Sequence, residues 1–155
     1  LVYNKSTKEV KTNKRKVDKM STRCMLRIFS VKLGKDVYLY HHHDGYIKGV
    51  GYDLLDMFYD RNKEKIILNN IDTVVNKLIK KEGDEYEYTA YNHIDIEYLY
   101  TLDVDNNKIV TYEVACSEDE MEVYQTWDTE RLIETYKIDR EVKRYTVKNV
   151  KEFLQ

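Results

Sequence analysis

His41-His42-His43-Asp44-Gly45-Tyr46-Ile47-Lys48-Gly49-Val50-Gly51-Tyr52-Asp53 holds three of the four histidines and three of the five glycines of the 155-residue chain. The sequence changes period across it. On the amino-terminal side Val37, Leu39, His41 and His43 alternate with Tyr38, Tyr40 and His42, the two-residue repeat of a strand. On the other side Leu54, Leu55 and Phe58 take the spacing of a helix that begins near Gly51, with Asp53 in its first turn. A strand that feeds a helix through a glycine-bearing turn puts the chain in the α+β class.

Upstream, Cys24, Leu26 and Ile28 alternate with Met25, Arg27 and Phe29, and Leu33-Gly34-Lys35 supplies a turn, so an amino-terminal hairpin is expected. Before it, residues 1–19 carry seven basic residues against Glu9 and Asp18 with little apolar periodicity, which reads as a flexible basic arm. Met20-Ser21-Thr22-Arg23 would make a natural start for the domain, residues 20–155.

Downstream, Ile71, Val74, Val75, Leu78 and Ile79 form the stripe of an amphipathic helix over 70–82. Asn70 is its expected cap, Asp72 and the lysines 77, 80 and 81 suit its two ends, and Gly83 is placed to stop it. Beyond Gly83, Tyr86, Tyr88 and Ala90 alternate with Glu85, Glu87 and Thr89, and Ile94, Ile96, Tyr98 and Tyr100 alternate with Asp95, Glu97 and Leu99. Asp103-Val104-Asp105-Asn106-Asn107 is a turn, and Lys108–Ala115 a further strand. Met121, Val123 and Trp127 suggest a return strand, and Asp128 caps a short helix through Leu132, Ile133 and Tyr136. Val142–Val147 alternates again, and Val150, Phe153 and Leu154 suit a last helical turn. The expectation is one α+β domain: an antiparallel sheet with an amino-terminal hairpin, two central helices packed on one face and an acidic strand meander.

Bulk properties bound the function. A chain this long buries roughly two-thirds of its unfolded surface. Its longest aliphatic run, Ile66-Ile67-Leu68, is far short of the ~20 residues of a membrane span and of the roughly 7–15 of a signal-peptide core. Cys24 and Cys116 match no metal or redox spacing, so a reducing, cytoplasmic setting is expected. Absent proline, 15 tyrosines and only two alanines resemble an AT-rich coding sequence, which makes tyrosine abundance weak evidence of function.

The net charge of −2 hides a strong asymmetry. Between Glu82 and Glu134 sixteen acidic residues stand against Lys108 and Arg131 alone, a net of −14. Glu85, Glu87, Asp95, Glu97, Asp103, Asp105, Glu113, Glu118, Asp119, Glu120 and Glu122 are therefore candidates for an acidic, tyrosine-rich partner-binding surface. Such a surface steers a basic partner and repels phosphates, so direct nucleic-acid binding by it is not expected.

The histidine stretch admits several chemistries. His41, His43 and Asp44 offer metal-ligand types, with His93 as a distant fourth. Gly49-Val50-Gly51 before a helix suggests a phosphate cradle, but it lacks a third glycine and Asp53 opposes an anion. His43 with Asp44 could move protons, but the sequence places no nucleophile beside them. Against these, Asp44-Gly45 is a strong turn signal and the remaining glycines allow tight backbone geometry. The favoured expectation is a structural loop with no catalytic residue, no cofactor and no metal.

Met20-Ser21-Thr22-Arg23, the hairpin, and His41, His42, His43, Asp44, Gly45 and Tyr46 followed by Gly49 and Gly51 together resemble a group of small, functionally uncharacterised bacteriophage and mobile-element proteins. These begin MSTR and carry HHxDGYPxGVG; here Ile47 stands at the proline position. The likeness spans about residues 20 to 60 and implies a phage or prophage accessory protein without implying a reaction. Joined to the charge map, it gives the expected function: binding and inhibition of a host defence protein, anti-CRISPR-like, in the cytoplasm of the bacterial host. The partner would be a basic nucleic-acid-handling complex. Pairing of basic arm and acidic sheet between copies would allow a homo-oligomer. The alternative is a metal-dependent hydrolase or small-ligand-binding protein using the His41–Asp53 loop.

Overall fold

A computed structural model describes residues 21–81, 85–90 and 93–140. The arm at 1–19, the helix-stopping Gly83 and the tail patterns beyond residue 140 lie outside them. Strands β1 (Cys24–Ser30) and β2 (Lys35–His41) form the expected hairpin, in register from Cys24 opposite His41 to Ser30 opposite Lys35. Gly34, at φ +61, closes its turn in the left-handed region that glycine enters without strain. A π turn at Ile47–Gly51 runs into α1 (Tyr52–Phe58). A small hairpin of β3 (Tyr59–Asp60) and β4 (Lys65–Ile66) follows, then α2 (Ile71–Lys80). As the stripe predicts, α2 buries Ile71, Val74, Val75 and Leu78, and the Asn70 side chain accepts from the Thr73 amide at 2.8 Å. Ile79, at the margin of the stripe, stays 41% exposed.

The acidic half supplies β5 (Tyr86–Tyr88), β6 (Tyr98–Asp103), β7 (Lys108–Cys116) and β8 (Met121–Trp127). A third helix, α3, runs over 129–140, with the Asp128 carboxylate accepting from the Arg131 amide at 2.8 Å. It is longer than its sequence signal suggested.

The six large strands lie in the order β5-β2-β1-β6-β7-β8. Every neighbouring pair is antiparallel except β1 and β6, which run parallel from Cys24 beside Tyr98 to Phe29 beside Asp103. That pair corrects the continuous meander expected after Gly83. After β5 the chain must cross the sheet end to reach the far side of β1, so Ile94–Glu97 is a connection rather than a strand. Its apolar alternation has a different use: Ile96 is buried against Met25, Tyr40 and Val114 on the outer face.

All three helices cover the other face. Leu26, Ile28, Leu39, Tyr100, Leu102 and Ile109 of the sheet pack there against Leu54, Leu55, Phe58, Val74, Leu78, Leu132 and Tyr136. Buried hydroxyls stitch α1 to α3. Tyr52 donates to Asp139 and Tyr136 donates to Asp56, each at 2.5 Å, and Arg140 bridges to Asp56 at 3.1 Å. The fold is a single α+β unit with its helices on one face of the sheet and a smaller buried cluster of Met25, Tyr40, Ile96 and Val114 on the other. No helix among the described residues is long and apolar enough to cross a membrane.

Candidate functional site

The alternation of β2 assigns the histidines before any chemistry is considered. His41 points to the helix side and is 3% exposed. Its Nδ1 lies 3.0 Å from the Glu85 carbonyl oxygen, and its ring stacks on Tyr86 at 4.3 Å. His42 points outward, edge-on to Tyr40 at 4.6 Å and 3.4 Å from the Glu87 carboxylate. His43 is exposed beyond the strand. His93 lies on the outer face, stacked on Tyr40 at 3.9 Å. Adjacent residues on a strand take opposite faces, so the run of histidines is divided rather than gathered. Among the described residues no group of three or more His, Cys, Asp or Glu side chains is placed to hold a metal ion.

The glycines bind backbone to backbone. The Gly45 amide donates to the Thr22 carbonyl at 2.9 Å, and a Cβ there would come within 2.8 Å of the Cys24 Cβ. Asp44, at φ +52, turns its carbonyl to accept from the Val50 amide at 2.8 Å. A Cβ on Gly49 would meet that same carbonyl oxygen at 2.1 Å, a clash that only glycine avoids. The buried Tyr100 hydroxyl, held far above its ordinary pKa by burial, donates to the Gly45 carbonyl at 2.7 Å. The amides of Gly49 and Val50 serve the loop itself, bonding to the carbonyls of Tyr46 and Asp44, so they do not converge as a phosphate cradle. Tyr46, partly exposed, lies with its hydroxyl 3.4 Å from Asp44. The stretch is a clasp that fastens the start of α1 to the start of β1 and to Tyr100.

The acidic candidates separate by position. Asp103 and Asp105 sit at the β6–β7 turn, at one end of the sheet, where both build local structure. Asp103 accepts from the amides of Asp105 and Asn106. Asp105 accepts from the Ser30 hydroxyl at 2.8 Å and the Lys32 amide at 3.0 Å. These two bonds, the Lys32 amide first, hold its carboxylate below the usual range.

The other nine candidates belong to the opposite end. Registers place Cys24, His41, Tyr86, Tyr98 and Cys116 there, together with the β7–β8 hairpin tip. Glu85 and Glu87 lie at β5, and Asp95 in the connection binds the Tyr40 hydroxyl at 2.7 Å and Arg23 at 3.3 Å. Glu118, Asp119, Glu120 and Glu122 crowd the hairpin tip, all exposed. The single broad acidic face that the alternation suggested is thus an acidic end, which wraps round the sheet and excludes Asp103 and Asp105.

On the β6–β7–β8 side of that end lies an array the sequence does not announce. Tyr98, Glu113 and Gln125 are neighbours across β6, β7 and β8. The register then slips by one residue, leaving Tyr124 unmatched in a bulge and 64% exposed. Glu113 accepts from the Trp127 indole at 2.8 Å, and the Arg131 guanidinium lies 3.6 Å over the Trp127 ring. Burial, then Glu113, Tyr124 and Glu97, push the Tyr98 phenol up to about 12. Burial, then Glu113 and Glu97, raise Tyr124 as well. Burial is the first cause of both shifts, and the neighbouring carboxylates add a negative potential beside the exposed Tyr124 ring, a setting that attracts a guanidinium or ammonium. Arg131 already shows within the chain how a guanidinium settles on this surface. Because Glu113 and Trp127 meet only through the β7–β8 pairing, sequence spacing gave no sign of the array. No protein-family model matches the chain, and no curated protein and no solved structure matches it.

Proposed function

We propose that the chain is a non-enzymatic accessory protein of a phage or prophage that binds and inhibits a basic, nucleic-acid-handling host defence protein, in the manner of an anti-CRISPR inhibitor. The observation that carries this reading is the acidic end, where Glu97 and Glu113 frame Tyr98 and Tyr124 and the carboxylates of Glu118, Asp119, Glu120 and Glu122 project beyond them. Carboxylates of this density occupy a cationic groove in place of phosphates and accelerate encounter with it. Exposed Tyr88, Val123 and Tyr124 add the apolar contact that interface anchors need. The resemblance to phage proteins over residues 20–60 supports the biological setting. The hydrolase alternative finds no support in the loop geometry, since His41 and the Gly49 and Val50 amides are committed to the fold.

The test is capture of partners by the tagged protein from a bacterial host lysate at low and at high salt. One basic, nucleic-acid-binding protein, retained at low salt and released at high salt, is the expected result. Recovery of no specific protein at low salt would contradict the proposal.

A further inference from the structure

Glu130 and Glu134 stand one turn apart on α3, both exposed, with Ile133 between them and Ile138 one turn further on. Across from them Tyr59 and Glu64, from the β3–β4 hairpin, complete an open groove of about 490 Å³. That size falls within the roughly 300–1,000 Å³ of ordinary ligand sites. The groove lies on the helix side and shares no residue with the acidic end, so it stands independently of the function proposed above.

Two features define what fits it. Its apolar surface comes from Tyr59, Ile133 and Ile138, the last 53% exposed although it is a large aliphatic side chain. Among the described residues that line it the charge is unbalanced: three carboxylates face one ammonium, Lys137, which sits 3.7 Å from Glu64 with both partners substantially exposed. Such a solvated pair holds weakly. The i, i+4 pair of Glu130 and Glu134 is mutually repulsive in the free protein, and a cation between them relieves it. Lysine and arginine combine an aliphatic stem with a cationic head, matching this pattern of apolar floor and acidic rim.

We propose that the groove binds a short cationic amphipathic segment of another protein, an apolar residue flanked by lysine or arginine. The apolar residue rests on Ile133 and Ile138, and the flanking cations pair with Glu130 and Glu134. A cation that reaches Glu64 competes with Lys137, which acts as an internal occupant of low affinity.

The experiment titrates the blocked peptide Lys-Leu-Arg-Ile-Lys into the full chain with isoleucine methyl labelling, following Ile133 and Ile138. The expected result is a saturable shift of both methyls that weakens with added salt. Glu130→Gln with Glu134→Gln lowers the affinity about fivefold or more, as two solvated ion pairs allow, and Lys137→Gln raises it. These positions are exposed, and unchanged methyl dispersion verifies the fold of each variant. Absence of saturable shifts overturns the proposal. So does binding that survives the groove substitutions but disappears with Glu118→Gln, Glu120→Gln and Glu122→Gln, which would put the peptide on the acidic end. Concentration-dependent dimerisation that the groove substitutions abolish would assign the groove to a second copy and overturn it equally.

Discussion

Gly49 and His43 sit six residues apart in the same stretch, and substitution should affect them in opposite measure. A Cβ on Gly49 meets the Asp44 carbonyl oxygen at 2.1 Å, so Gly49→Ala must push the clasp open, at a cost of about 1–3 kcal/mol. His41→Ala removes a buried ring stacked on Tyr86 and should cost about 2–4 kcal/mol, whereas exposed His43→Ala should stay within about 0.5 kcal/mol. Urea unfolding of the three variants checks the order. Equal losses for His41→Ala and His43→Ala would show that burial does not separate them. Thr111 offers the opposite case, because its fully buried hydroxyl has no hydrogen-bond partner among the described residues. Thr111→Val keeps the shape and should stabilise the protein by about 1 kcal/mol in the same assay. The alternation of β2 made the inward and outward histidines legible in the sequence. That a tyrosine 55 residues away would donate to Gly45 was not, because this contact is created by the pairing of β1 with β6.

Among the elements, α2 was the most legible because its information is local: an apolar stripe, a capping asparagine and lysines in the last turn. Asn70→Ala should cost about 1 kcal/mol, read as a lower unfolding midpoint. The hairpin of β1 and β2 was equally local. The segment Ile94–Glu97 misled because a buried isoleucine on a connection has the same alternation as one on a strand, and only the crossing to the far side of β1 tells them apart. The turns at one end of the sheet carry a pH dependence. Asp105 has a lowered pKa in the folded protein, so its bonds to Ser30 and Lys32 contribute fully above the unfolded carboxylate value of about 3.9. That contribution is lost as pH falls from there through the lower folded value. Acid unfolding of wild type and Asp105→Asn should therefore differ most above pH ~4 and converge below the folded pKa. A constant difference down to the lowest pH would contradict the linkage.

For the whole molecule, composition and charge pointed to an acidic carboxy-terminal half, and the fold decides where that charge goes. Parallel pairing of β1 with β6 and the β7–β8 hairpin bring Glu97, Glu113 and the tip carboxylates to one end, while the turn at the other end retains Asp103 and Asp105. Strand order depends on contacts between residues far apart in the chain, so the spacing of acids along it could not separate the two groups. Tyrosine ring NMR, which resolves single phenols, offers a physical check on the field at this end. Tyr98 should ionise near pH 12 in the wild type, and Glu113→Gln should move that ionisation downward; an unmoved titration would show that Glu113 does not set the local potential.

The most direct test of the central claim, that the acidic end is the functional surface and the histidine clasp is structural, is a paired capture and unfolding measurement on a tip variant. Glu118→Gln, Glu120→Gln, Glu122→Gln and Tyr124→Ala change exposed side chains only. The expected result is an unfolding midpoint close to wild type, with capture of the proposed basic partner at low salt reduced at least about tenfold, as the loss of an aromatic anchor and three charges implies. Undiminished capture by a fully folded tip variant would contradict it.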